Sequence, residues 1–210
     1  MTVVPFNPLD KRNLGASVAE AMLRSPSHSL GDLPRFVGAG IYAIYYAGPH
    51  PAYSLLAQAN LTSERVPIYV GKAVPAGARM GARLDVTTTS RALFNRLSEH
   101  SESIRATADL AVADFRCKYL VVDDIWIPLG ESLLIAKFSP VWNSAIDGFG
   151  NHDPGAGRYQ GQMPRWDVLH PGRRWASRCQ PRQETASHLS MTVETYLANN
   201  PMPEPTVIAP

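Results

Sequence analysis

The clearest hydrophobic pattern in the chain is Gly40 to Ala47 (GIYAIYYA), where aliphatic and aromatic residues occupy odd and even positions alike. A strand that is apolar on both faces is covered on both faces, so this segment is expected at the centre of a sheet. Glycines at 38 and 40 precede it, and Gly48-Pro49 ends it. A second short strand is predicted at Pro67 to Gly71 (PIYVG). A third is predicted from Asp114 to Val122, where Phe115, Cys117, Tyr119 and Val121 alternate with their neighbours.

Helical spacing appears elsewhere. Leu14, Val18, Ala21 and Met22 mark a helix from Asn13 to Arg24, closed by Pro26 and Gly31. Residues 48–66 are too long for a tight hairpin and suggest a small helix around Tyr53 to Ala59. After a Gly- and Pro-containing loop from Lys72 to Val86, a helix is expected to run to about Arg105. Leu93, Leu97 and Ile104 form its stripe, and Arg96 and His100 stand four apart and project together. A last helix is expected to start at Pro128, run through Glu131, Leu134 and Phe138, and stop at Pro140. The predicted fold is α/β (α+β): a small, mainly antiparallel three-stranded sheet flanked by helices, with insertions and terminal arms. One domain is expected, with an N-terminal arm and helix over 1–35, a core over 36–146, and a C-terminal arm and tail over 147–210.

Composition adds bounds. The chain has 210 residues, 45% of them hydrophobic, which suits one domain with a sizeable core. The net charge is only +2, but its distribution is uneven. Residues 65–105 hold seven basic side chains against three acidic, and residues 147–182 hold six arginines against three aspartates. The last 28 residues hold three glutamates and no Lys or Arg. Two basic zones with an acidic tail suit a polyanion-binding surface. Cys117 and Cys179 make no C-x-x-C pair, so neither structural zinc nor a disulfide framework is expected. Met1 to Lys11 has no apolar signal core, and no run is long enough to span a membrane. A bacterial cytoplasmic protein is expected.

Candidate chemistry enters with Gly40-Ile41-Tyr42 and Tyr69-Val70-Gly71. Together they resemble the two tripeptides that name the GIY-YIG nucleases. Three further marks follow in order: Arg96 with His100 on the next helix, Glu131 opening the last one, and Pro140-Val141-Trp142-Asn143 beyond it. The resemblance covers Gly40 to about Asn143. Ten or eleven residues separate the tripeptides in most of the family, whereas residues 43–68 intervene here. That insertion and the Arg-His pair look most like the type II restriction endonucleases of this superfamily, whose members cut short GC-rich palindromes of the CCGCGG kind. Repair, recombination or mobile-element enzymes of the same superfamily are the alternative, and an inactive DNA-binding scaffold is the other class.

The resemblance implies roles. Tyr42, Tyr69, Arg96, His100, Glu131 and Asn143 form the expected catalytic set, with Glu131 the ligand of one Mg²⁺ that Mn²⁺ can replace. A strand tyrosine is ordinarily a core residue, and Tyr45, Tyr46 and Tyr119 are read so. A phenol with a pKa near ~10 is a poor base unless perturbed, which leaves His100 or Lys72 as its helper. Arg96 offers a permanently charged fork to the phosphate. Lys72, Arg79, Arg83, Arg158, Arg173 and Arg174 are the candidate nucleic-acid contacts, and His152-Asp153 is read as loop. The partner is double-stranded DNA, bound by a homodimer, without a small-molecule cofactor. The carboxylate-plus-D/E-x-K nuclease core is absent: the residues two before the four lysines are Leu9, Val70, Arg116 and Ile135. No H-x-K pair exists either.

Overall fold

A computed structural model of the chain describes residue 7 and residues 9–75, 90–155 and 157–200. Strand β2 (Gly40–Tyr46) lies at the centre of an antiparallel sheet, and every one of its residues is buried. It pairs with β3 (Tyr69–Ala73) on one side and β4 (Phe115–Val121) on the other. After helix α1 (Lys11–Arg24), the two-residue strand β1 (His28–Ser29) joins the outer edge of β4. Among the described residues the sheet thus has four strands in the order β1-β4-β2-β3, one more than expected. His28-Ser29 is too short and too polar to show an alternation, so only its landing place beside Cys117 and Arg116 makes it a strand.

Alternation along β2 divides the core in two. Ile41, Ala43 and Tyr45 face Ala19 and Met22 of α1 together with Ile127, Leu134 and Phe138 of α4 (Ile127–Phe138). Pro128 occupies the first turn of α4, where its missing N–H leaves no bond unmade. Tyr42, Ile44 and Tyr46 face the other way. They meet Leu93, Leu97 and Ile104 of α3 (Ala92–Arg105), and Tyr53 and Leu56 at the start of α2 (Ser54–Asn60).

The long insertion between β2 and β3 is closed by one amide. Asn60 is buried and donates to the carbonyls of Tyr46 (3.1 Å) and Val66 (2.9 Å). Its oxygen accepts the N–H groups of Arg65 and Val66, both at 3.0 Å. A polar side chain with all its bonds made is stable in the core, and this one returns the chain to the sheet in register for Tyr69.

Residues 147–200 correct the expectation of an arm. Helices α6 (Arg165–Leu169) and α7 (Ala186–Asn199) bury Trp166, Leu169, Leu189, Val193 and Leu197 in the same cluster as Tyr42 and Ile44. Between them and α4 lies the short α5 (Val141–Ser144), which buries Trp142 in that cluster. Leu189, Val193 and Leu197 recur every four residues, one face of a helix. The Gly-, Pro- and Arg-rich stretch before them concealed that pattern. No helix among the described residues is long and apolar enough to cross a membrane.

The glycine of the GIY tripeptide is required by the fold. Gly40 has φ +156°, and a Cβ there would overlap the Leu120 carbonyl oxygen of the neighbouring strand. Gly40→Ala is expected to cost about 3 kcal/mol or more, through backbone strain and the lost β2–β4 pairing. Urea unfolding checks this, and a loss below about 0.5 kcal/mol would contradict it.

Candidate active site

Tyr42 sits mid-strand in β2, directly opposite Gly71 of β3. A Cβ at Gly71 would collide with the Tyr42 hydroxyl, so the glycine of the second tripeptide leaves room for the phenol. That hydroxyl is buried and lies 2.6 Å from Nε2 of His100, which is itself only 1% exposed. The Tyr69 ring lies edge-on to His100 at 5.3 Å and tilted to Tyr42 at 6.3 Å. Two tyrosines and a histidine, from two strands and α3, therefore converge.

Arg96 stands one helical turn before His100. Its Nη2 donates to the Gly150 carbonyl at 2.5 Å, and its Nη1 donates to Glu99 at 3.0 Å and touches the His152 imidazole. The loop carrying Gly150 roofs the cluster. Phe149 stacks on His100 with centroids 4.5 Å apart. A Cβ on Gly150 would come 2.5 Å from the Tyr69 hydroxyl. The sequence showed only a Gly-rich loop here, because loop and helix meet through the fold alone.

Glu131, in α4, meets the same site from the other side. Its charge raises the pKa of both Tyr42 and Tyr69, so it lies within electrostatic reach of them. Lys72 Nζ donates to Glu131 Oε2 at 2.5 Å. The ammonium is the counter-charge of this partly exposed carboxylate. One hard oxygen ligand with room for waters and substrate oxygens suits a divalent cation of the Mg²⁺ kind. Asn143 lies behind β3, where its amide accepts from Val70 N–H and donates to Val70 C=O, both at 2.8 Å. It fixes the strand between the two site residues Tyr69 and Gly71.

Electrostatics decide where the proton rests. Burial pushes the Tyr42 phenol well up, Tyr69 and Glu131 add to this, and Arg96 opposes them. Burial pushes His100 well down, aided by Arg96, His152 and Arg173. Both shifts favour a neutral pair, with the phenol donating to Nε2. Positive charge placed near Glu131 acts against the shift on the phenol.

The expected nucleic-acid contacts separate. Lys72 is paired to Glu131, and Arg79 and Arg83 lie outside the described residues. Arg158 and Arg174 are exposed. Arg173 is a correction: it is 6% exposed and every N–H of its guanidinium is taken. Asp167 accepts two bonds, and the carbonyls of Gly148, Phe149 and Asn151 accept the rest. Its plane lies between Trp166 and Trp175, each 4.7 Å away. No donor remains for DNA. Arg173 instead holds the loop that roofs the site, a role with no local sequence signal.

A second polar cluster was also missed. His50, Asp109 and His170 place ligand-type atoms within 4.8 Å of one another, the spacing of a metal site. The hydrogen bonds, however, run in one direction. Trp142 Nε1 donates to the Tyr53 oxygen (2.9 Å), the Tyr53 hydroxyl to His170 Nε2 (2.6 Å), and His170 Nδ1 to Asp109 (2.7 Å). Both ring nitrogens of His170 are thereby occupied, so a metal would have to displace a bond from a fully buried ring. Burial alone would raise the Asp109 carboxyl, but bonds from His170 and His50 hold it well below the usual carboxylate range.

Comparison with protein families identifies the family of the chain. The model of the Eco29kI GIY-YIG domain matches residues 34–197. The chain belongs to that family of restriction endonucleases. No curated protein matches the chain significantly. The GIY-YIG match starts just ahead of β2 and ends within α7. It thus takes in the roofing loop, Arg173 and α6, beyond the Gly40–Asn143 span of the tripeptide resemblance. Nucleases of the GIY-YIG type depend on a divalent metal.

The two buried imidazoles make stability pH-dependent. His100 and His170 are both lowered, chiefly by burial. An unfolded chain takes up protons on them near ~6.5, while the folded chain does not. Stability should therefore be level above about pH 7 and fall below about 6.5, by up to ~1.4 kcal/mol per pH unit for each ring. Urea midpoints between pH 8 and 5 measure this. A flat profile would contradict neutral burial of the two rings.

Proposed function

We propose that the protein is a type II restriction endonuclease that hydrolyses both strands of double-stranded DNA at a short GC-rich palindrome. The observation that carries this is the buried Tyr42–His100 pair beside Arg96 and Glu131, in a chain of the Eco29kI GIY-YIG domain family. Arg96 presents its fork to the scissile phosphate in place of the Gly150 carbonyl and His152. Tyr42 takes a proton from the attacking water, having passed its own to His100 Nε2 across the existing 2.6 Å bond. Tyr69 borders the same space, and Asn143 keeps β3 in place. Glu131 would hold one Mg²⁺ or Mn²⁺, which would supply charge neutralisation on the phosphate and its leaving oxygen. Lys72, displaced from Glu131 by such an ion, would be free to meet a neighbouring phosphate. His100, already bonded to the phenol, is favoured over Lys72 as the proton acceptor.

Separate requirements for binding and chemistry test this. DNA affinity arises from Lys and Arg contacts to phosphates and bases, not from the catalytic carboxylate. Glu131→Gln and Tyr42→Phe are expected to lose cleavage by at least about a thousandfold while gel-shift binding of the cognate duplex survives. Digests of a plasmid rich in GC palindromes, with Mg²⁺ and with chelator, give the cleavage arm. Near-normal cutting by Glu131→Gln would refute the metal assignment. Nicks or a smear in place of discrete fragments would favour a repair or mobile-element enzyme, and binding without cutting an inactive scaffold.

One Tyr42–His100–Glu131 centre cuts one strand, and a palindrome has two-fold symmetry. A symmetric dimer on the DNA satisfies both. Light scattering of the complex with a cognate duplex is expected to give two chains per duplex. A one-to-one complex that still makes double-strand breaks would exclude the dimer.

A further inference from the structure

The six arginines of residues 147–182 divide sharply by partner. Arg165 and Arg182 pair with Glu184, Arg173 with Asp167, and Arg178 with Asp153. Of these six, Arg158 and Arg174 have no acceptor for their guanidinium among the described residues. The local fold exposes Arg158 in a particular way. On one side of it, Asp153 accepts from Gly155 N–H (2.8 Å), the Tyr159 hydroxyl (2.6 Å) and Arg178 (2.9 Å). On the other, the Arg178 guanidinium lies 4.2 Å over the Tyr159 ring. Gly155 and Gly157 turn the chain at φ +81° and +85°, with open space where a Cβ would stand. Asp153, Tyr159 and Arg178 are thus held to one another while Arg158 is exposed.

That cation lines a groove continuous with the active site. Asn151, His152, Arg158, Gln162 and Trp175 wall it, and its floor at Gly150 is the residue whose carbonyl meets Arg96. Arg173 fixes the groove's inner wall by holding the carbonyls of Phe149 and Asn151. A phosphodiester seated on Arg96 brings its neighbouring base pairs to this wall. A wall with two amides and an unpaired guanidinium matches the edge of a base pair better than a phosphate alone. An arginine fork pairs with O6 and N7 of guanine in the major groove.

We propose that the groove is a base-reading site and that Arg158 specifies a guanine within the recognition sequence. The inference rests on the nuclease reading and names the residue that gives it selectivity. Arg174, exposed and unpaired but outside the groove, is the contrasting case, a contact to phosphate.

The test is cleavage of a randomised duplex library in Mg²⁺, with sequencing of the cut ends, for wild type, Arg158→Ala, Arg158→Lys and Arg174→Ala. Circular dichroism checks that each variant is folded, as substitution of an exposed side chain should allow. Wild type is expected to require a G·C pair at the position in question. Arg158→Ala should lose discrimination there, and at its symmetry mate, by roughly ten- to a hundredfold, with other positions unchanged. Arg158→Lys keeps the charge but not the fork, so it should fail to restore the preference. Arg174→Ala should cut the same sites with affinity lowered uniformly and a shallower salt dependence. Unchanged selectivity in Arg158→Ala, with or without a uniform loss of affinity, would overturn the base-reading assignment alone. A wild type that cuts no more than Glu131→Gln would overturn the nuclease reading and this inference with it.

Discussion

A hydroxyl at the centre of a doubly covered strand is the constraint from which the site follows. Strand β2 is buried along its whole length, so Tyr42 cannot reach bulk water. An unpaired phenol there would cost roughly 1–3 kcal/mol. The nearest partner is His100 on α3, which must itself be neutral to accept. Room for the phenol comes from Gly71, its position from the β2–β3 register, and its cover from Phe149 stacked on the imidazole. A well-satisfied core pair and the proposed proton donor and acceptor are here the same two side chains.

Charge around that pair is arranged in layers. Arg96 lies closest, and Glu131 approaches from the opposite face with Lys72 as its resting counter-charge. Arg173 sits behind Phe149 and Gly150, fully bonded to Asp167 and backbone carbonyls. Removing one partner of such a buried pair leaves an uncompensated charge, which is why this arginine is structural despite its type. Its burial divides the basic C-terminal segment. The loop it anchors meets Arg96 through the Gly150 carbonyl, while Arg158 and Arg174 are exposed. The Tyr53–His170–Asp109 relay braces the opposite side of Trp142, so the aromatic core is pinned at both ends by directed hydrogen bonds.

The sequence by itself determined the central strand, because apolar residues on both parities have one stable location. It also determined the order of elements, and the resemblance to the GIY-YIG nucleases singled out Tyr42, Tyr69, Arg96, His100 and Glu131 along them. Even Asn143 was legible from its place after Pro140. What the tertiary structure decided was every contact between segments distant in the chain. The edge strand His28–Ser29 exists only because β4 offers it a ladder. Arg173 and Arg158 look alike in sequence, yet one is enclosed by two tryptophans and an aspartate while the other stands free. Leu189, Val193 and Leu197 mark a helix locally, but only packing shows that their face completes the core around Tyr42. Periodicity reports which side of an element is buried, whereas partner identity depends on loop closure, and no local pattern encodes that.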